Sequence, residues 1–388
     1  MSEYLTALDQ ASGGNAQRLA ELQQKYERLS AWLAGQGLDG ILIRRHENLA
    51  WLTAGQLQAR VGILSETGIV TLLVLRDGRR FALAPNNEMP RLAAEELPGL
   101  GYDPVQRPWH ALNLADEARH LCPGKLAADA PIDAAIPVVS LAALRAPLHP
   151  AEIARLRVLA TATSEVVTDT LLALAPGASE YEMEARTAER LLRQGIFPSV
   201  LLMATDERIL HYKHAVARGQ RLQRFGMLNL CTRRWGMVVS ITRFVHFGPM
   251  PTELVEGFAA AAHVNAALQH ATRSGATAAS LFQVARQAYA AAGFPGEAEQ
   301  HHQGGACGYL EREWVATPSG TDRVQTPQSF AWNPSCRGGK VEDTTLATES
   351  QEASRPGTEL LTSTPRLPQI TTEVAGSPYI SAGVLVHD

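Results

Sequence analysis

Cysteine is scarce in this chain. Cys122, Cys231, Cys307 and Cys336 are the only four in 388 residues, and no two form a CxxC pair. That excludes a disulfide framework and a thiolate zinc site, and it fits a reducing compartment. A surplus of one charge sign is also missing. Thirty-five Lys and Arg stand against 39 Asp and Glu, a net charge of −4, so no basic field exists to hold nucleic acid or anionic lipid. The most apolar run, Gly68 to Leu75, is less than half of the ~20 residues that a membrane-spanning helix needs. Residues 1–17 lack the basic and apolar regions of a signal peptide, and the expected location is the cytoplasm. His301-His302-Gln303-Gly304-Gly305 is rich in glycine, but no Lys-Ser/Thr follows it, which excludes a phosphate-binding loop.

What is present is the composition of a globular protein, 45% hydrophobic and 19% charged, with a length that suits two or three domains. Residues 16–36 predict an amphipathic helix, with Leu19, Leu22, Tyr26, Leu29 and Leu33 at helical spacing. Gly37-Leu38-Asp39-Gly40 breaks it, and Ile41-Leu42-Ile43 reads as a short buried strand. Gly68 to Leu75 and Phe81 to Leu83 read as a hairpin around Asp77-Gly78, since Asp-Gly accepts the positive φ of a tight turn. Helices near 88–97 and 110–121 and a strand near 125–129 complete an α/β unit, and Pro147 and Pro150 place its end near residue 148.

The remainder opens with a helical pattern over 150–175. Ser179 and Glu182 then form a capping box for a helix whose expected buried face is Tyr181, Ala185, Ala188 and Leu192, and which stops at Gly195. About 98 residues later the pattern recurs: a helix over 251–273, then one with Leu281, Val284, Ala285 and Ala288 on one face, ending at Gly293. Strand-like hairpins follow each pair of helices, at 227–247 and 328–348. Two similar α+β halves predict internal pseudo-twofold symmetry. From residue 362 onward the chain reads as extended.

Several segments resemble the creatinase/prolidase/aminopeptidase P superfamily of pita-bread enzymes. Gly37 to Ile43 and Glu47 to Gly55 resemble that family's "GLDALLI" and "ENLRYLTG"; His149 to Ile153 resembles its "KSPEEI". Ile209-Leu210-His211-Tyr212, Ser240-Ile241-Thr242-Arg243 and Glu342-Asp343-Thr344 resemble its His-Tyr, "DITR" and final acidic motifs. The resemblance implies an α/β creatinase-type N-terminal domain over 1–148 and an α+β pita-bread domain with pseudo-twofold symmetry over 149–388. It further implies a homodimer.

Peptidases of the superfamily hold two divalent ions with two aspartates, a histidine and two glutamates. Carried over one by one, those positions fall on Asn229, Ser240, Gly305, Asn333 and Glu342, so only Glu342 keeps its residue type. A single carboxylate cannot neutralise two dications, and no metal or other cofactor is expected. His301 and His302 are not expected to share an ion, because adjacent residues on a strand point to opposite faces.

Creatinase, the metal-independent C–N hydrolase of the superfamily, matches better. Its general base falls on His211, and imidazole titrates near neutral pH. Its carboxylate-gripping arginine falls on Arg312, which could instead form a local salt bridge. Glu342 is either a positioning carboxylate or the partner of Arg312. A second creatinase glutamate falls on Thr242, which makes creatine a poor fit; Arg60 sits where creatinase sends an arginine to the neighbouring subunit, and Gln303 offers a pocket amide. The resulting expectation is a metal-independent hydrolase. It acts on a C–N or similar bond of a small carboxylate-bearing compound, with His211 and Glu342 catalytic and Arg312, Thr242, Gln303 and Arg60 binding substrate. The alternatives are an inactive, peptidase-like binding protein and an Xaa-Pro peptidase with a degenerate metal site.

Overall fold

The computed structural model describes residues 3–349 and 357–387. The chain divides into two packed units: Met1–Arg145 with His149–Arg155, and Ala146–Leu148 with Leu156–Asp388. The division crosses the helix Pro150–Leu172 instead of preceding it. Glu152 and Arg155, in the first turns of that helix, belong to a buried ion cluster with Glu21 and Lys25 of the first unit.

In the first unit a five-stranded sheet runs in the order Asp103–Arg107, Arg80–Pro85, Thr67–Leu75, Gly40–Arg45, Leu126–Ala128. The expected hairpin and the strand after Gly40 are both in it. The helix Asn15–Gln36 forms as read, but Leu19 is exposed and Arg18, Glu21 and Lys25 are buried beside Leu22, Leu29 and Leu33. The helix expected over 110–121 begins only at Leu114, where the Asn113 side chain accepts from the Ala115 and Asp116 N–H groups. Residues 1 and 2 of the polar N-terminus lie outside the described residues; Glu3–Ala11 is a helix.

The second unit carries the repeat. Pro150–Leu172 and Glu180–Leu192 precede a sheet containing Phe197–Thr205, Phe225–Arg234 and Met237–Phe247. Thr252–Ala271 and Ala278–Ala291 precede one containing Gly304–Cys307, Gln328–Trp332 and Asp343–Thr348. The agreement extends to single hydrogen bonds. Ser179 and Thr277 both cap the second helix of their half by a capping box. Ser179 bridges Arg221 as Thr277 bridges Arg323, and those arginines donate to the carbonyls of Gly177 and Gly275.

One face was misread. The helix Glu180–Leu192 buries Glu180, Met183, Thr187 and Leu191, while Tyr181 and Leu192 are exposed. Glu180 turns it, because its carboxylate accepts from Arg208 Nε at 2.9 Å and from the Arg218 N–H at 2.7 Å inside the unit. The extended tail does more than lie on the surface. Gln369–Val374 and Ser377–Ala382 form a hairpin against Thr252–Ala271, and Val384–His387 adds a parallel strand beside Met237–Phe247.

Candidate functional site

The two sheets of the second unit meet where Thr242 bridges Glu342. Asn229 lies opposite Thr242 and Cys231 opposite Ser240. Opposed residues and residues two apart share a sheet face, so these four side chains point the same way. Glu342 joins them from the second sheet, the Thr242 N–H donating to its carbonyl at 3.1 Å. Behind the junction the buried Arg243 donates to Asp343 at 2.6 Å and to the carbonyls of Thr242 and Glu342, tying the two sheets together.

The Glu342 carboxylate is 3% exposed and fully engaged. The Thr242 hydroxyl donates to Oε2 at 2.6 Å, the Lys340 ammonium stands 3.0 Å from Oε2, and Arg312 donates to Oε1 at 3.1 Å. Burial alone would raise its pKa; Lys340, Arg312 and the hydroxyl outweigh burial and hold it at about 2. Arg312 also donates to Ser240 Oγ at 3.3 Å and to the Glu311 carbonyl at 2.6 Å. Two protein cations therefore surround the Glu342 carboxylate.

Gly305 is closed to a side chain. A Cβ there would lie 2.1 Å from the carbonyl oxygen of Trp314 on the adjoining strand. Asn333 is buried, with its N–H on the Gln303 carbonyl at 3.0 Å. Among the described residues, Asn333 Oδ1 and Asn229 Nδ2 have no partner.

His211 ends the short helix Glu207–His211 and is exposed. It lines a cleft of about 300 Å³ together with Lys213, Glu297, His301, Arg337 and Lys340. Lys340 thus links the cleft to Glu342, whereas Glu342 and Arg312 lie outside its lining. Gln303 does not serve the cleft. It is buried, accepting from the Tyr289 hydroxyl at 2.9 Å and donating to the carbonyls of His301 and Ala298. Its amide holds the turn ahead of the glycines. Thr242 is likewise committed to Glu342, and Arg60 lies half-buried in the first unit.

The histidine pair departs from expectation. Strand structure begins only at Gly304, so His301 and His302 are not on alternate faces; their rings stack at 4.3 Å. His214 joins them, its Nε2 3.1 Å from His301 Nε2. Burial, with Lys340 and the neighbouring rings, lowers His301 to about 3, and burial with Arg312 lowers His302 to about 4. Cys231 and Cys307 are buried. Burial, followed by Glu342, pushes Cys231 up to about 12, and burial puts Cys307 at about 11.

Lys340, Lys213 and His214 were missed from the sequence. Lys340 left a signal: it is two residues before Glu342, a spacing that places both on one side of an extended chain. His214 left none, because 87 residues separate it from His301.

The sequence profile of metallopeptidase family M24 matches residues 154–349, just over half of the chain. The chain belongs to family M24. It is thereby part of the creatinase/prolidase/aminopeptidase P superfamily and has the α/β plus pita-bread architecture expected of it. Among solved structures this M24 chain is similar to an Xaa-Pro dipeptidase from Bacillus anthracis, at 17% identity and TM-score 0.71 over 94% of this chain and 100% of that one. It is similar to X-Pro aminopeptidase from Thermotoga maritima MSB8, at 16% identity and TM-score 0.70 over 93% and 99%. Prolidase from Pyrococcus furiosus gives 17% identity and TM-score 0.68 over 86% and 99%. At such identities the likeness concerns the fold. No curated protein sequence matches.

Proposed function

We propose that this M24 hydrolase-family chain works without the family's pair of metal ions and acts on a small carboxylate-bearing compound held in the His211 cleft. One observation carries the reading: Lys340 and Arg312 already occupy the carboxylate that two dications would need. The other donors support it. Asn229, Ser240 and Asn333 are neutral, and Gly305 has no room for a ligand side chain. That set does not fit a pair of divalent ions. Metal-independent C–N hydrolysis follows the creatinase resemblance, and hydrolysis itself follows the family.

In this reading one acid against two bases leaves a positive surplus next to a cleft that Arg337 also lines, Lys213 there being paired with Glu297 at 3.5 Å, and the surplus draws the substrate's carboxylate. His211, exposed in the same cleft, moves the proton. Glu342, held at about 2, is too weak a base to activate water and instead fixes the two cations.

The test is a panel of small carboxylates carrying amide or amidine C–N bonds, with amine release and calorimetric affinity read separately on untagged protein. His211→Ala lowers turnover by about 100-fold or more and changes affinity by less than about threefold. Binding without turnover across the panel would make the chain a binding protein. Two tightly held divalent ions per chain, lost in Glu342→Gln, would return it to the Xaa-Pro peptidases.

A further inference from the structure

The three clustered histidines have no part in the chemistry above beyond the presence of His301 in the cleft wall. We propose that His214, His301 and His302 bind a single first-row divalent metal ion of the zinc class, with the fourth coordination position open. One ring nitrogen from each lies within 4.8 Å of the other two, and no other trio of His, Cys, Asp or Glu among the described residues meets that spacing. With zinc–imidazole bonds of about 2.0–2.1 Å, tetrahedral geometry sets ligand nitrogens about 3.4 Å apart. The His214–His301 separation of 3.1 Å is already close to that value.

One more observation points to an ion. Nδ1 of His302 is buried with no hydrogen-bond partner among the described residues, as a ring nitrogen is when its lone pair serves an ion or a water. A neutral imidazole brings the lone pair that such an ion takes. An all-imidazole donor set selects zinc, copper, nickel or cobalt over magnesium, calcium or manganese. Lys340 and Arg312 act electrostatically on His302 and oppose a bare dication, so the open position takes an anion such as hydroxide or a carboxylate. The trio shares no residue with the five positions of the family's two-metal centre, and the inference is independent of the function proposed above.

The experiment uses the full, untagged chain, dialysed against a chelator and then titrated with Zn²⁺ by calorimetry and with Co²⁺ by visible absorption. The expected result is one ion per chain with the visible bands of four-coordinate cobalt. His214→Ala, at an exposed position that leaves the fold intact, weakens zinc binding by about 100-fold or more, more than second-shell changes cost. His302→Ala does the same, while Asn229→Ala and Ser240→Ala bind zinc as the wild type does. Absence of binding below millimolar zinc overturns the proposal. So does a stoichiometry of two, or unchanged affinity in His214→Ala; circular dichroism establishes that each variant is folded.

Discussion

Each unit buries a glutamate between a lysine and an arginine, yet the two clusters are balanced differently. In the first unit Lys25 stands 2.5 Å from Glu21 and 2.7 Å from Glu152, while Arg155 grips Glu21 at 2.6 and 2.8 Å. Burial would raise the pKa of Glu21, but Lys25 and Arg155 hold it well below the carboxylate range. Two acids meet two bases, all 3% exposed or less, and the cluster is a closed brace. In the second unit one acid, Glu342, meets two bases, and Lys340 opens onto the cleft. The same buried triad is therefore structural where its charges cancel and a source of field where they do not.

The largest effect should come from unbalancing the brace. Arg155→Ala leaves buried carboxylates short of a partner and costs about 3–5 kcal/mol of stability, measured by urea unfolding. Glu342→Gln should cost less, about 1–2 kcal/mol, because water in the cleft reaches Lys340. The same change raises the positive surplus, so affinity for small carboxylates should rise while stability falls; calorimetry that showed both falling would break the comparison.

The smallest effect concerns pH. His301 and His302 have pKa values below the ordinary 6.5, so their neutral form is favoured in the folded state and protonation favours unfolding. Stability is unaffected by them above about 6.5, declines as pH falls below 6.5, and levels off only near their folded values of about 4 and about 3. Glu342, depressed to about 2, keeps its contribution down to the ordinary 4.5 and loses it only below. Hydrogen exchange corrected for intrinsic rates should show residues 298–307 losing protection between pH 7 and 5, ahead of residues 15–36, where Glu21 follows the carboxylate pattern.

Much of the fold was legible because its signals are local. Gly177 and Gly275 stand 98 positions apart with a capping residue two places after each, and the halves they open share their capping boxes, their bridges and their arginine-to-glycine bonds. That Asn229, Ser240, Gly305 and Asn333 carry no charge was legible too, since it depends on residue type alone. The misread faces share one cause. At Glu180 and at Glu21 a buried carboxylate took a place that apolar spacing had assigned elsewhere, and periodicity does not register a charge whose partner is distant in the chain.

The sequence by itself determined the family and the repeat, because each is written in residue identity and short-range spacing. Only the tertiary structure decided that Lys340 joins Arg312 on Glu342, that Gln303 points inward, and that His214 meets His301 and His302. Those contacts arise where strands and turns far apart in the chain are packed into one junction, and no local pattern encodes which side chains will face each other there.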